Sequence, residues 1–132
     1  MKSYQSANER GELLLDHVII TVKDLDRAIA FYETALKPLG IVRAIDYDGK
    51  DGPEGHPDLK GFGRDGRVFF WLRQGDADAK AAHIGFVAKS EAEVNAFYEA
   101  AMAAGATDNG KPGDPDGYSL EAVYKSWQHR QS

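Results

Sequence analysis

At 132 residues, with 42% hydrophobic and 28% charged side chains, the sequence has the size and composition of one globular domain. It lacks a run of about 18 apolar residues, which a membrane span requires, so no membrane partner is expected. Its first residues do not show a signal-peptide pattern, so we expect a cytoplasmic protein. The absence of cysteine excludes thiolate ligands and cysteine nucleophiles. A net charge of −5 argues against nucleic acid, whose nonspecific binding depends on concentrated cations.

The first half of the chain contains a pattern that returns in the second half. An apolar, β-branched run from His17 to Lys23 predicts a buried strand, and a second such run from His83 to Lys89 lies 66 positions later. The pairs Phe31-Tyr32 and Phe97-Tyr98 keep the same offset, so the two copies align without a gap. This register indicates an internal repeat.

A helix is predicted after each of these strands. In the first copy Asp24 is a suitable N-cap, and Gly40 marks the end. In the second copy Ser90 and Glu93 form a capping-box pattern, and the helix is expected to end at Gly105. The apolar and aromatic residues of both helices recur at helical spacing, which is typical of a face packed on the core.

Further strands follow each helix. Ile41 to Ile45 alternates like a half-buried strand, whereas the Gly-, Asp- and Pro-rich stretch from Asp46 to Gly66 predicts a long loop of the kind that often carries function. One short strand is expected inside this loop, near Leu59 to Gly63. Val68 to Leu72 is a wholly apolar strand, matched in the second copy by Ser119 to Val123.

Three polar side chains of metal-binding type lie in apolar strands, namely His17, His83 and Glu121. Burying an unpartnered polar group costs about 1 to 3 kcal/mol, so each should meet a partner or a metal. A single histidine of this kind is more often a core residue, but two at equivalent positions of a repeat favour a shared ligand site. Two imidazoles with one carboxylate suit a divalent ion. The alternative for Glu121 is an edge-strand residue that faces water or pairs with a nearby Lys or Arg. His56 and His129, in polar stretches, are assigned no role.

These features resemble the vicinal oxygen chelate superfamily, which includes glyoxalase I, bleomycin-resistance proteins and extradiol dioxygenases. The resemblance is carried by Asp16 to Val22 leading to Ala30-Phe31-Tyr32, by His83 to Phe86, and by the turn Asp114-Pro115-Asp116-Gly117 leading to Leu120-Glu121. It implies a single α+β domain of two βαβββ modules, at about residues 13–75 and 80–125. Their open sheets are expected to curl around a concave pocket, commonly completed by dimerisation, so a homodimer is expected.

The resemblance also implies a ligand set. In metal-using members the first strand of each module supplies a histidine and the last strand supplies a glutamate. His17, His83 and Glu121 match these positions, which implies a divalent ion such as Zn, Ni, Fe or Mn. Glu121 is then also the candidate catalytic carboxylate.

The fourth ligand position departs from the superfamily pattern. Superposing Gly66 on Gly117, the glycines before the last strands, pairs Phe70 with Glu121. The lack of a fourth protein ligand counts against a glyoxalase I-like isomerase, whereas two histidines and one glutamate match the dioxygenase-like pattern. Phe70 and Trp71 are candidates for the pocket wall, and strand alternation predicts that only one of them faces inward.

Three functions therefore remain open. The first is a divalent-metal-dependent lyase, isomerase or dioxygenase-like enzyme acting on a small molecule with two neighbouring oxygens. The second is a metal-free small-molecule binding or antibiotic-resistance protein, which the aromatic pair at Phe70 and Trp71 favours. The third is a member of the fold without catalysis.

The second module is short. Gly117 follows Gly66 by 51 positions rather than 66, so 15 residues are missing between Gly105 and Asp114. This is about one strand with its turns, and the second module is predicted to be one strand short. Either the tail from Lys125 to Ser132 or a neighbouring subunit should then cover the vacancy, or the natural protein has further residues there.

Overall fold

The computed structural model describes residues 15–47, 50, 54, 58–108 and 112–125. The first module comprises β1 (Val18–Val22), α1 (Leu25–Ala35), a 3-10 turn (Lys37–Leu39), β2 (Val42–Tyr47), β3 (Leu59–Arg64) and β4 (Arg67–Gln74). The second comprises β5 (His83–Val87), α2 (Glu91–Ala103), β6 (Thr107–Asp108), β7 (Pro112–Gly113) and β8 (Ser119–Val123). In the described part of the chain, neither helix is long and apolar enough to cross a membrane.

The two modules share one topology. Their sheets have the orders β1-β4-β3-β2 and β5-β8-β7-β6. The first and last strands of each module run parallel, and the other pairs are antiparallel. This confirms the α+β architecture of two repeated units. It also makes β1 and β5 edge strands, each with one side of its backbone unpaired within its own sheet.

The predicted helix starts are confirmed by their N-caps, whereas α1 ends at Ala35 and a separate 3-10 turn leads to Gly40. The Asp24 side chain accepts a hydrogen bond from the Arg27 backbone N–H at 3.1 Å, and Ser90 accepts one from Glu93 at 3.2 Å. The Glu93 carboxylate accepts from the N–H of Lys89 at 2.7 Å, so the return bond is made to the residue before the N-cap rather than to Ser90 itself.

The expectation of a half-buried β2 is wrong. Residues 42–46 are all exposed, and β2 is the outer edge of its sheet. The short strand predicted near Leu59 to Gly63 is confirmed as β3.

Aromatic side chains form the core between the modules. Tyr32 packs edge-on against Phe70 with ring centroids 5.0 Å apart, and Phe70 against Phe86 at 5.3 Å. Phe86 then contacts Phe97 of α2 at 6.4 Å. The predicted core role of the helix aromatics holds for most of them, whereas Tyr98 is 38% exposed.

The turn before β8 fastens the second module to the first. The buried Tyr32 hydroxyl donates a hydrogen bond to the buried Asp114 carboxylate at 2.5 Å. The other Asp114 oxygen accepts from the backbone N–H groups of Asp116 and Tyr118, at 2.9 and 3.0 Å. The Tyr118 hydroxyl donates to the backbone carbonyl of Thr21 at 2.8 Å. Burial raises the pKa of both Asp114 and Tyr32 above their ordinary values.

The shortened stretch of the second module keeps its strand order but not its strand length. β6 and β7 have two residues each, where β2 and β3 have six each. β7 pairs with β8 only through Gly113 and Ser119. Within the described residues the second sheet thus has four strands, of which β6 and β7 are short. The tail proposed as a cover falls beyond Lys125, outside the described residues.

Replacing Tyr32 with phenylalanine should destabilise the protein by about 1 to 3 kcal/mol, because it removes one hydrogen-bond partner of a buried carboxylate. Chemical denaturation at neutral pH measures this change. Tyr98→Phe is the matched control, since Tyr98 is the repeat counterpart of Tyr32 on the exposed side of α2. An equal loss in both variants would contradict the importance of the Tyr32–Asp114 contact.

The raised pKa of Tyr32 predicts destabilisation at alkaline pH. The unfolded chain releases this proton near the ordinary value of 10.0, whereas the native protein retains it. The stability linked to Tyr32 is therefore fully present below pH 10 and falls as the pH rises above it. We expect the free energy of unfolding to fall between about pH 9.5 and 11, and to fall less in Tyr32→Phe. Identical pH slopes for the two proteins would refute this.

Candidate functional site

The candidate residues lie on the sheet faces that the helices leave open. On β4 the buried Phe70 and Leu72 face the core, so Trp71 between them faces the other side. On β8 the buried Leu120 faces the core, so Ser119 and Glu121 face the open side. Each module thus has one face covered by its helix and one face available for binding.

His83 and Glu121 contact each other on the open face of the second module. The His83 Nε2 atom lies 2.7 Å from Glu121 Oε2, and His83 Nδ1 lies 2.9 Å from the Ser119 hydroxyl oxygen. The parallel register of β5 and β8 produces this geometry, because His83 pairs with Ser119 and Gly85 pairs with Glu121. The His83 and Glu121 side chains are 44% and 35% exposed, so both remain accessible to a ligand.

Gly85 keeps the space beside this pair open. A methyl group built at Gly85 would lie 3.6 Å from Glu121 Cγ and 3.8 Å from Glu121 Oε2. The absence of a side chain there leaves the carboxylate approachable from the open face.

His17 lies just before β1 and does not join this pair. Its Nδ1 atom lies 3.3 Å from the Asp16 carboxylate, and its side chain is half-exposed. The Arg67 guanidinium donates hydrogen bonds to the backbone carbonyls of Leu15 and Asp16, which holds the segment leading into His17. Within the described residues, no group of three histidine, aspartate or glutamate side chains is close enough to hold a metal ion.

A cleft of about 730 Å³ separates the edge strands β1 and β5. Both predicted histidines, His17 and His83, border it, together with apolar side chains that include Ile19, Phe69 and Val87. The cleft therefore places the two repeat-related histidines on a common surface.

The predicted pocket pair is divided between the two sides of β4. Phe70 borders the cleft from the core, whereas Trp71, which lies on the opposite face, is not among the cleft residues. Trp71 lies across Gly61 of β3, where an added methyl group would come within 2.7 Å of the indole ring. Glycine at this position lets the indole lie flat on the open face.

The counterpart of Glu121 in the first module is Trp71, and the prediction of Phe70 is wrong. On β3 the neighbours Phe62 and Gly63 pair with Phe70 and Val68, so Phe69 is an extra residue in β4. This β-bulge shifts the alignment made on the glycines by one position. Correspondingly, Trp71 pairs with Ile19 of β1, and Glu121 pairs with Gly85 of β5 at the repeat-related position.

Two residues of the site were not identified from the sequence. Ser119 is placed on the face of Glu121 by simple alternation, but only the strand register shows that it meets His83. Arg67 has no sequence signal, because its hydrogen bonds join segments about fifty residues apart.

The repeated βαβββ module with an open sheet defines a class of small-molecule-binding folds. A sequence profile of the Glyoxalase/Bleomycin resistance protein/Dioxygenase superfamily matches residues 14–125. The chain therefore belongs to this superfamily.

Solved structures show the same fold. A glyoxalase/bleomycin resistance protein from Albidiferax ferrireducens is 21% identical with a TM-score of 0.70, covering 86% of this chain and 99% of its own. The fosfomycin resistance protein FosX from Listeria monocytogenes is 23% identical with a TM-score of 0.62, covering 89% and 96%. A mutant FosX from that organism, complexed with Mn(II) and 1S,2S-dihydroxypropylphosphonic acid, is 22% identical with a TM-score of 0.56, covering 82% and 89%. No curated protein matches the sequence.

Proposed function

We propose that the protein is a divalent-metal-dependent enzyme acting on a small molecule with two neighbouring oxygens. The observation that carries this proposal is the contact of 2.7 Å between His83 Nε2 and Glu121 Oε2 on an open sheet face. An imidazole nitrogen and a carboxylate oxygen are ligands that suit zinc, manganese and iron alike. Their side chains lie close enough to share one cation.

The third ligand in this proposal is His17 from a second copy of the chain. Two ligands leave the site incomplete, and within one chain His17, which lies just before β1, is not close enough to the pair to complete it. The edge strands β1 and β5 carry exposed apolar residues, Ile19 at 41% and Val87 at 50%. Pairing β1 of one copy with β5 of another would cover both residues and bring His17 toward His83.

In such an assembly the two open faces have different tasks. His83 and Glu121 would hold the cation, which would supply Lewis-acid chemistry to the substrate oxygens. Gly85 leaves space beside the Glu121 carboxylate. Trp71 on the open face of the first module and Phe69 at the cleft would supply apolar contact surface. The FosX complex supports this chemistry, because its ligand has hydroxyls on adjacent carbons and its metal is Mn(II).

Purified protein without a histidine tag should bind about one zinc ion per chain in calorimetric titration. His17→Ala, His83→Ala and Glu121→Gln should each weaken binding by at least about 100-fold, since each removes a ligand and not merely a supporting partner. Thermal unfolding without metal should be nearly unchanged for Glu121→Gln, because the amide is close in shape to the carboxylate. His56→Ala is the control and should bind zinc normally.

Zinc binding that survives all three ligand substitutions would contradict the metal site. A wild-type protein that binds no metal, but shows saturable quenching of tryptophan fluorescence by an aromatic compound in chelator, would instead support metal-free binding. The position of Trp71 on the open face, in place of a fourth ligand, favours that second function.

Mixed dimers test the source of His17. If the site is shared between copies, co-refolding equal amounts of His17→Ala and Glu121→Gln chains should restore about one quarter of the wild-type zinc sites, because half of the dimers are mixed and each has one complete site. Light scattering should show a dimer.

The control for this experiment is His83→Ala mixed with Glu121→Gln. Both substitutions lie in the same half-site, so mixing should restore nothing. Zinc sites that the first mixture does not restore, or a wild-type monomer of 14.5 kDa, would show that His17 is not supplied by a second copy.

A further inference from the structure

We infer that Ser119 is a positioning residue that orients His83 and lets its ring hydrogen move from Nε2 to Nδ1 when a cation binds. The inference rests on the proposed role of His83 as a metal ligand. Ser119 is not itself a proposed metal ligand, and it acts on the orientation and tautomer of the His83 ring.

The geometry places the Ser119 hydroxyl directly against the ring. His83 and Ser119 are paired residues of the parallel strands β5 and β8, and their side chains lie on the same open face. The hydroxyl oxygen is 2.9 Å from Nδ1, while Nε2 is occupied by Glu121 at 2.7 Å. Both ring nitrogens therefore have a fixed partner, and the two partners differ in chemistry.

Without metal, these partners select one tautomer. An ionised carboxylate can only accept hydrogen bonds, so the nitrogen facing Glu121 must carry the hydrogen. In a neutral ring Nδ1 then has a lone pair and needs a donor. The Ser119 hydroxyl can donate to it.

When a cation binds, Nε2 needs a lone pair and Nδ1 carries the ring hydrogen. A neutral imidazole binds metal through a lone pair, so Nε2 must release its hydrogen to solvent while Nδ1 takes one up. The ring stays neutral, with one hydrogen lost and one gained. The Ser119 hydroxyl can then rotate and accept from Nδ1, because a hydroxyl both donates and accepts. A carboxylate or backbone carbonyl in its place could serve only the metal-bound tautomer.

His17 provides the contrast within the same protein. The group nearest its Nδ1 is the Asp16 carboxylate at 3.3 Å, which is an acceptor only. This partner favours hydrogen on Nδ1 with or without metal and leaves Nε2 ready to bind. The two repeat-related histidines therefore differ: His17 has its ligand tautomer in advance, and His83 acquires it on binding.

Ser119→Thr and Ser119→Val test the inference as a pair. They have nearly the same shape, both suit a strand, and only threonine keeps the hydroxyl. The readout is the tautomer of His83 in nitrogen-15 NMR of histidine-labelled protein, assigned by the signal lost in His83→Asn, with and without zinc. Wild type and Ser119→Thr should show hydrogen on Nε2 without metal and on Nδ1 with zinc. Ser119→Val should keep the hydrogen on Nε2 without metal, because Glu121 is unchanged, but it should shift the Nδ1 signal, which loses its hydroxyl donor, and bind zinc about 10- to 100-fold more weakly than Ser119→Thr. The His17 signals should stay the same in all three proteins.

Equal zinc affinities in Ser119→Thr and Ser119→Val would overturn the inference. So would a wild-type His83 that keeps one tautomer when zinc binds. If the wild type binds no zinc, the proposed function fails, and the metal-free spectra then test Ser119 separately. A His83 Nδ1 chemical shift that differs between the two variants would support the orienting role of the hydroxyl, and identical shifts would overturn it.

Discussion

The hydrogen bond between Tyr32 and Asp114 is the interaction on which the relation between the modules depends. It joins the helix of the first module to the turn that starts the last strand of the second. The same turn bonds to the first module through Tyr118 and through the Asp116 carboxylate, which accepts from the Lys23 N–H at 3.2 Å. Glu121 follows this turn by only a few residues. A contact that holds two modules together therefore also sets the position of a candidate ligand, so stability and site geometry share one cause.

The repeat in the sequence was sufficient to predict both modules, because strand and helix patterns depend on local spacing. The pairing of Phe70 with Glu121 could not be corrected from sequence, since the bulge at Phe69 is a property of how β3 and β4 pair. The contact between His83 and Ser119 likewise depends on register across strands that are 36 residues apart. The repeat relates His17 to His83 by position. A repeat in sequence does not tell whether two related side chains lie in the same site of one chain or in a site shared by two chains.

The modules share a topology and differ in chemistry. The open face of the first carries Trp71 and Ile19, whereas that of the second carries His83, Ser119 and Glu121. The second module is also the one whose outer strands are reduced to two residues each. One copy of the repeat thus retains a full sheet with an apolar face, and the other has a small sheet with a polar site.

The bulge at Phe69 determines which residues of β4 face the core. Side chains alternate along a strand, so a ladder that continued without a bulge from Val68 opposite Gly63 would place Phe69 opposite Phe62 and Phe70 opposite Gly61. Phe70 would then lie on the open face and Trp71 in the core. Deleting Phe69 would instead give a regular ladder in which Phe70 and Trp71 keep their present partners. A change of one residue in the length of β4 can therefore be absorbed at the bulge without altering the pocket wall.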